Sequence, residues 1–472
     1  MLTDRTFHPD EANQAFTTGK LLETGAYAYQ PQDHHGPTLY YAGAALQKVA
    51  GHDSTASLDG TLLRCTPLLF ALLALVFGAL AVRRALAGTR RAVVIAIFAL
   101  ISFLATAPAF VFFSTSYIQE MLLACFLLMA FWAAFKRNGF FFGLATGLAF
   151  ATKETSLISF AAAAVAFVAV KDRDAFKLPG KMIHPVVAAA TFATVSAALY
   201  SSFCSNWQGL WDAIVAMPLS YFNRAAGAAA SAGAADHVHP WYQHLKWIFA
   251  SGWKFSEVAL LLPIVAALPA LRGRGGEEAP SRRPFLFAAA YTAALLAFYS
   301  AIPYKTPWCD LQIVVGLAVA AALALPLVKS RAIVGALIAM VLTSHLSAFV
   351  SMNANPDSRS IPFNYAHSSP DVKRAAELIE KEMAAAGEAD FVAVGVPASD
   401  TWPLPWYLRS QLARTGYWTS ADELKAVADA GGKPKIVVVP EADAEKAAKM
   451  FPHLTRSGIY ATRPGVLLTV MY

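Results

Sequence analysis

Charge is scarce in this chain. Only 15% of its 472 residues are Asp, Glu, Lys or Arg and 57% are hydrophobic, whereas an ordinary soluble domain carries about 25% charge. So high an apolar content excludes a disordered chain, and it exceeds what the core of a soluble enzyme can bury. The sequence therefore predicts an α-helical polytopic membrane protein.

Neither the cysteines nor the charge balance indicates a metal site or a nucleic-acid partner. The four cysteines lack the spacing of metal ligands, and we expect free thiols. Lys and Arg number 38 against 31 Asp and Glu. A basic excess can indicate nucleic-acid binding, but cytoplasmic loops of membrane proteins accumulate the same residues. We therefore expect no nucleic-acid partner.

Apolar runs separated by short charged loops begin at Leu62. They predict about ten membrane spans, at 62–82, 93–113, 119–135, 139–152, 155–170, 184–203, 256–271, 284–302, 311–328 and 332–351. The fourth and fifth runs are shorter than the roughly 20 residues of a full crossing, so they form either a tight hairpin or one long kinked helix.

Loop charge favours the hairpin and sets the predicted topology. If the chain enters the first span from outside, the inside loops hold sixteen Lys and Arg and the intervening outside loops hold five, as the positive-inside rule requires. Residue 1 then lies outside, although no span precedes it to carry it across. We therefore expect that a first helix is missing, through a late start site or a truncation.

Three regions follow from this topology. Residues 1–61 form an outer loop, residues 62–351 form the transmembrane domain, and residues 356–472 form a small soluble α/β domain on the outer face. In the last region, predicted helices at 371–386, 421–430 and 442–450 alternate with predicted strands at 391–396, 435–439 and 465–470. It lacks a glycine-rich phosphate loop and a nucleophile elbow, so we expect the chemistry elsewhere.

The polar residues that could take part in catalysis or binding all fall on the predicted outer face. We expect this face to lie in the cell envelope, outside a cytoplasmic (inner) membrane. The candidates for catalysis are Asp10, Glu11 and Glu120, and the candidates for substrate binding are His35, Lys153, Glu154, His237, His239, Trp241, Tyr304, Lys305 and Trp308.

Each candidate also has a structural interpretation that the sequence leaves open. Asp10 and Glu11 could be solvated loop carboxylates, and Glu120 could snorkel or form a salt bridge at the edge of a span. The two lysines could anchor helix ends at lipid head groups. The histidines of 237–242 could form caps or hydrogen bonds, and the aromatic residues of that segment could belong to an interfacial belt.

Together the candidates indicate group transfer. A phosphate leaving group needs cations, which Lys153, Lys305 and Arg224 could supply. An acceptor hydroxyl needs a base, for which Asp10 or Glu11 is placed at the membrane edge. A transporter would show ionisable residues deep within its spans, whereas these span interiors are almost wholly Ala, Leu, Val and Phe.

The motifs resemble those of the GT-C superfamily of polyprenyl-phosphate-sugar-dependent glycosyltransferases, in its protein O-mannosyltransferase-like branch (glycosyltransferase family 39-like). The similar features are the Asp10–Glu11 pair, Glu120 and the Gly-Leu-x-x-x-Thr-Lys segment at 147–153. A bacterial and archaeal subfamily labelled flippase-activity-associated is more similar still. It matches at 35–37, 152–155, 304–308 and 402–409, and the resemblance spans nearly the whole chain.

The resemblance implies an inverting transfer of a sugar from a polyprenyl-phosphate carrier to an acceptor hydroxyl, with membrane lipids around the site. Asp10 would be the base. Glu11 and Glu120 would shape the site or, with Asp10, hold a divalent cation (Mg²⁺ or Mn²⁺) where members of the family use one. Lys153 and Lys305 would neutralise the carrier phosphate. The alternative is a lipid-linked-sugar flippase or an accessory protein of one.

Overall fold

Helices form most of the chain. The computed structural model describes residues 2–30, 35–86, 90–170, 184–225, 237–251, 253–272, 282–365 and 367–472. The helices of the first 354 residues are α1 (Pro9–Thr24), α2 (Thr38–Val49), α3 (Gly60–Ala85), α4 (Arg90–Thr106), α5 (Pro108–Ser114), α6 (Glu120–Lys136), α7 (Gly139–Phe150), α8 (Ser156–Ala169), α9 (Pro185–Tyr200), α10 (Trp207–Trp211), α11 (Met217–Ala225), α12 (Gln243–Phe249), α13 (Leu261–Arg272), α14 (Arg282–Ala301), α15 (Asp310–Ala324) and α16 (Arg331–Ala354).

The predicted polytopic helical class is confirmed. Within the described ranges, four helices are long and apolar enough to cross a membrane: α3, α14, α16 and the segment Pro307–Leu327, which contains α15. The pair α4 and α5 makes a fifth if it is one span bent by 64°. A helix overlaps each of the other predicted runs. The prediction of about ten spans and the outer-face topology stay predictions.

Glycine spacing explains how closely α7 and α9 pack. Gly139, Gly143 and Gly147 recur every four residues and so share one helix face. A Cβ on Gly143 would lie 2.2 Å from the carbonyl oxygen of Ala188. Small residues at this spacing let two membrane helices approach backbone to backbone. The helical conformation is interrupted between α7 and α8 at 151–155, where the predicted loop 152–155 lies.

A buried polar group stabilises the bend between α4 and α5. Pro108 cannot donate a backbone hydrogen bond, and the helix stops before it. The Glu257 carboxylate accepts a hydrogen bond from the backbone N–H of Ala109 at 3.1 Å and lies 3.1 Å from His345 Nε2. His345 Nδ1 in turn lies 3.1 Å from the Thr106 hydroxyl. His345, inside α16, is thus an exception to the expected apolar span interiors.

The C-terminal domain is a mixed sheet covered by short helices. Its strands are β1 (Val392–Gly395), β2 (Thr415–Trp418), β3 (Ile436–Pro440), β4 (Ser457–Arg463) and β5 (Val466–Met471), and its helices are α17 (Asp371–Ala384), α18 (Ala398–Thr401), α19 (Leu404–Tyr407), α20 (Leu424–Asp429) and α21 (Ala444–Met450). The strand order is β2-β1-β3-β5-β4, with β1 parallel to β2 and β3, and β5 antiparallel to β3 and β4. The three predicted strands and three predicted helices are present; β2 and β4 escaped prediction because their residues are mostly half-exposed.

This domain packs against the N-terminal polar segment. The Trp406 ring stacks on Phe7 with 4.5 Å between centroids. The Arg409 guanidinium lies 4.0 Å from the Trp406 ring centre and donates to the Leu58 carbonyl oxygen at 3.1 Å. The predicted string 402–409 therefore joins the domain to residues 1–61, and both lie at the end of the bundle where α1 and α2 lie.

We predict that Gly143→Ala destabilises the bundle. The added methyl group overlaps backbone atoms of α9, which cannot move aside, and overpacking of this kind costs about 1–3 kcal/mol. Gly335→Ala is the control, because a Cβ there meets nothing within 4 Å; the better helix propensity of Ala stabilises it by up to about 1 kcal/mol. Thermal unfolding in detergent measures both, and equal midpoints would contradict the close packing of α7 on α9.

Candidate functional site

The segment between α14 and α15 holds the predicted 304–308 motif beside the predicted 237–239 histidines. The backbone N–H of Lys305 donates to the His237 carbonyl oxygen at 2.8 Å, and that of His239 donates to Pro303 at 3.1 Å. Val238 and Tyr304 pair as an antiparallel bridge. Two loops far apart in sequence are thus fixed against each other.

Lys305 is a buried cation. Its side chain is 2% exposed, and its ammonium donates to the Ile302 carbonyl oxygen. Among the described residues no carboxylate forms an ion pair with it. Burial lowers the pKa of Lys305 from its usual value. Because buried charges are normally paired, an anionic ligand would stabilise this group.

Neutral histidines flank Lys305. Burial, together with the positive charge of Lys305, lowers the pKa of His239 and lowers that of His244 to about 4. His244 Nδ1 lies 2.5 Å from Asp310 Oδ1, and both side chains are 1% exposed. At neutral pH these imidazoles add no positive charge, so Lys305 is the cation of this cluster.

Aromatic rings connect the lysine cluster to the start of α1. The Tyr365 ring lies 5.5 Å from His237 and 6.0 Å from His239 between centroids, while its carbonyl oxygen bonds His8 Nε2 at 2.8 Å. His8 also lies 6.0 Å from Trp308. By contrast, the predicted site residue Trp241 is 66% exposed and stacks only edge-on with its neighbour at 5.8 Å.

Glu120 and Lys153 form a buried salt bridge. The Lys153 ammonium donates to Glu120 Oε1, and both side chains are at most 5% exposed. Burial alone would lower the pKa of Lys153, but the Glu120 charge outweighs it and raises the pKa. The salt-bridge interpretation of Glu120 therefore describes its state here. The Gln312 amide holds Glu120 from the other side, donating to its carbonyl oxygen at 3.0 Å.

Two predicted motifs, 35–37 and 152–155, contact each other beside this salt bridge. Glu154 Oε2 lies 2.9 Å from His35 Nδ1, and Glu154 Oε1 accepts from the Tyr29 hydroxyl at 2.8 Å. Burial would raise the pKa of Glu154, but these partners lower it to about 2. A Cβ on Gly36 would lie 2.2 Å from the Ala151 carbonyl oxygen, so only glycine fits there. His35 and Glu154 thus bind each other in this structure.

Both carboxylate oxygens of Glu11 accept hydrogen bonds from several partners. This residue is 1% exposed and forms a two-point contact with Arg64, both N–H···O distances being 2.9 Å. It also accepts from the backbone N–H groups of Tyr117 at 2.9 Å and His8 at 3.1 Å, and Arg5 lies at 3.5 Å. Burial would raise the pKa of Glu11, but the two guanidinium ions lower it well below its usual range.

Asp10 is the open carboxylate of the predicted pair. Its side chain is 45% exposed, and His8 Nδ1 lies 3.7 Å from Asp10 Oδ2. No described group donates a hydrogen bond to its carboxylate oxygens. Asp10, Trp308 and the buried Arg5 line one narrow cleft, in which Arg5 Nε and Nη1 have no described partner. This arrangement leaves Asp10 available to accept a proton from a ligand.

The described residues do not assemble a metal site. No group of three or more His, Cys, Asp or Glu side chains lies close enough to hold an ion, and the proposed ligands Asp10 and Glu120 have separate partners, His8 and Lys153. The orphaned Asp310 Oδ2 is a single oxygen and does not supply the set that Mg²⁺ prefers.

The sequence analysis did not identify several residues of the site, namely Arg5, Arg64, His244, Asp310 and Tyr365. For Arg64 a signal existed, because an arginine in an apolar run is costly and needs a partner. The others acquire their roles through contacts distant in sequence. The predicted cation Arg224 has a side chain that lies outside the described part of the chain.

We predict very unequal stability effects for substitutions at the two neighbouring carboxylates. Glu11→Gln leaves Arg64 and Arg5 uncompensated, and breaking a buried pair in this way costs about 3–5 kcal/mol. Asp10→Asn, at a half-exposed side chain, changes the free energy of unfolding by at most about 0.5 kcal/mol. Tryptophan fluorescence during thermal unfolding in nanodiscs measures both.

The same pair gives a pH control. Because folding lowers the pKa of Glu11, its stabilisation is complete above the unfolded value of about 4.3 and is lost as the pH falls below it. Glu11→Gln should therefore remove this acid sensitivity. Equal losses for the two variants at neutral pH would contradict the assignment of Glu11 as the anchor.

Comparison with known proteins shows the fold. No protein-family model and no curated protein matches the sequence. Among solved structures, ArnT from Cupriavidus metallidurans bound to undecaprenyl phosphate is similar at 13% identity and a TM-score of 0.69, over 99% of this chain and 94% of that one. Its apo form gives a TM-score of 0.66 over the same shares. The archaeal oligosaccharyltransferase AglB from Archaeoglobus fulgidus, in complex with dolichol-phosphate, is 14% identical with a TM-score of 0.50, over 98% of this chain and 70% of that one.

The chain therefore has the fold of ArnT and of AglB, a polytopic helical fold as its apolar runs predicted. The finer resemblance to the protein O-mannosyltransferase-like and flippase-associated branches stays a prediction.

Proposed function

We propose that this membrane protein is a glycosyltransferase that moves a sugar from a polyprenyl-phosphate carrier to an acceptor hydroxyl. The observation that carries the proposal is that an open carboxylate, Asp10, lies near a buried cation, Lys305, that has no described counter-ion. Trp308 lines the cleft of Asp10 and stands three residues from Lys305, at most about 11 Å along the backbone. This proximity supports a mechanism in which Asp10 acts as the base and Lys305 binds the phosphate of one and the same donor.

The chemistry is a single displacement. The acceptor hydroxyl attacks the anomeric carbon, its proton passes to the Asp10 carboxylate, and the bond from that carbon to the phosphate oxygen breaks. The configuration at the anomeric carbon inverts because one displacement occurs. The polyprenyl phosphate leaves with a charge that Lys305 neutralises through a charge-assisted hydrogen bond. Glu11 contributes by holding α1 in place and takes no proton.

An apolar groove supports a polyprenyl carrier. It runs between α3, α6, α14 and α15 with an open volume of about 670 Å³, and its lining is almost wholly hydrophobic. Gln312, in the first turn of α15, lines the groove and donates a hydrogen bond to the backbone of Glu120. A lipid tail in the groove would therefore bring its phosphate to the Glu120–Lys153 pair and the neighbouring Lys305 segment. The structural relatives bound to undecaprenyl phosphate and dolichol-phosphate support this choice of carrier.

Asp10→Asn should abolish sugar transfer while the carrier still binds. Loss of a general base lowers turnover by about 10²–10⁴-fold. Purified protein in liposomes is offered a panel of undecaprenyl-phosphate-linked sugars, and carrier binding is measured separately with undecaprenyl phosphate. Asp53→Asn, at an exposed aspartate of the same N-terminal segment, is the matched control. Unchanged transfer by Asp10→Asn would remove Asp10 from the mechanism, and lipid translocation without transfer would favour the flippase.

Lys305→Met should weaken binding of undecaprenyl phosphate by about 10–100-fold, the value of a hydrogen bond to a charged group. Lys305→Arg should retain binding, and Lys246→Met, an exposed cation of α12, is the control. Because burial lowers the pKa of Lys305, wild-type binding should fall as the pH rises through that lowered value, whereas the arginine variant stays charged to higher pH. Equal affinities for Lys305→Met and wild type would contradict the phosphate role.

A further inference from the structure

Three cations converge at the end of the bundle opposite the candidate site. Arg83 and Arg84 end α3 and Lys136 ends α6. With Trp132 and Leu80 they line one pocket with an open volume of about 880 Å³. Within the described ranges no acidic side chain forms an ion pair with any of the three. We name these five residues the basic pocket.

The basic pocket is separated from the candidate site by the thickness of a membrane. Lys136 follows Glu120 by 16 residues on α6, a rise of about 24 Å at 1.5 Å per residue, and Arg84 follows Arg64 by 20 residues on α3, a rise of about 30 Å. The hydrocarbon core of a bilayer is about 30 Å thick. A ligand in the basic pocket therefore lies in the opposite leaflet from a carrier phosphate at Lys305.

The Trp132 ring positions the Lys136 ammonium in the pocket. The Lys136 ammonium lies 5.0 Å from the centre of the Trp132 ring and 5.6 Å from that of Phe141, both within the range of a cation–π interaction. Tryptophan is enriched where a membrane protein meets lipid head groups. The lysine is thus held beside the two arginines at head-group depth.

An apolar stripe leads from the pocket along the lipid-facing side of α3. Leu69, Leu72 and Val76 are 46%, 56% and 52% exposed, and with Leu80 they recur every three or four residues, which places them on one helix face. An acyl chain can lie along this stripe while its head group lies among the cations. The arrangement matches an amphiphile with one anionic head.

We propose that the basic pocket binds the phosphate of an anionic phospholipid, in the leaflet that the positive-inside rule assigns to the cytoplasm. Basic pockets between membrane helices recognise lipid phosphates in this way, and the planar guanidinium groups suit phosphate oxygens. The positive-inside rule alone requires only scattered cations. Here cations from two helices line one pocket together with an indole ring.

Native mass spectrometry of the purified full chain tests the proposal. The protein is offered equimolar phosphatidylglycerol and phosphatidylcholine with identical acyl chains, and wild type should retain phosphatidylglycerol preferentially. Each cation removed should weaken retention about fivefold, so the triple variant R83Q/R84Q/K136Q should lose about a hundredfold. The charge-conserving variant R83K/R84K/K136R should retain most binding. The control K329Q/R331Q removes two cations of the same predicted side that do not line the pocket and should change nothing.

Four results would overturn the proposal. They are equal retention of the two lipids by wild type, a loss in the control as large as in the triple variant, displacement of phosphatidylglycerol by millimolar inorganic phosphate, and displacement by equimolar undecaprenyl phosphate. The third would assign the pocket to a soluble anion and the fourth to the carrier. The first measurement uses wild type alone, so it decides the question even if the glutamine variant does not fold.

Discussion

The buried ion pair between Glu11 and Arg64 is the constraint on which the site depends. Arg64 contacts both Glu11 oxygens and also donates to the carbonyl oxygens of Arg5 and Thr6, so it fixes the start of α1 against α3. Glu11 binds Arg64, whereas its neighbour Asp10 lines the cleft with its carboxylate open. The surroundings therefore make the two adjacent carboxylates different: Glu11 is buried and ion-paired, and Asp10 is open to the cleft.

The segment from Tyr304 to Asp310 joins the remaining parts of the site. The Lys305 backbone N–H donates to the His237 carbonyl oxygen, the Trp308 ring lies against His8, and the Asp310 carboxylate contacts His244. The Glu120–Lys153 pair is built differently, since each charge is already neutralised by the other. Of the two lysines, Lys305 is therefore the one whose burial is uncompensated within the described chain, and a phosphate would stabilise it more.

Local sequence patterns predicted the helical class and the small C-terminal sheet domain, because apolar runs and the alternation of helix and strand patterns depend on neighbouring residues. The motifs at 10–11, 35–37, 152–155 and 304–308 also marked segments that the structure brings near one another. Their individual roles could not be predicted, because they depend on partners distant in sequence. Glu11 is anchored by a residue 53 positions away, and the buried His345 of α16 lies 3.1 Å from the Glu257 carboxylate.

A cryo-EM structure of the full chain with undecaprenyl phosphate in a lipid nanodisc tests the central claim most directly. The account predicts a phosphate oxygen at about 2.8 Å from Lys305 Nζ, with the tail in the α3–α6–α14–α15 groove and Asp10 open to the same cavity. A phosphate bound elsewhere, with the Lys305 ammonium still on the Ile302 carbonyl oxygen, would contradict it.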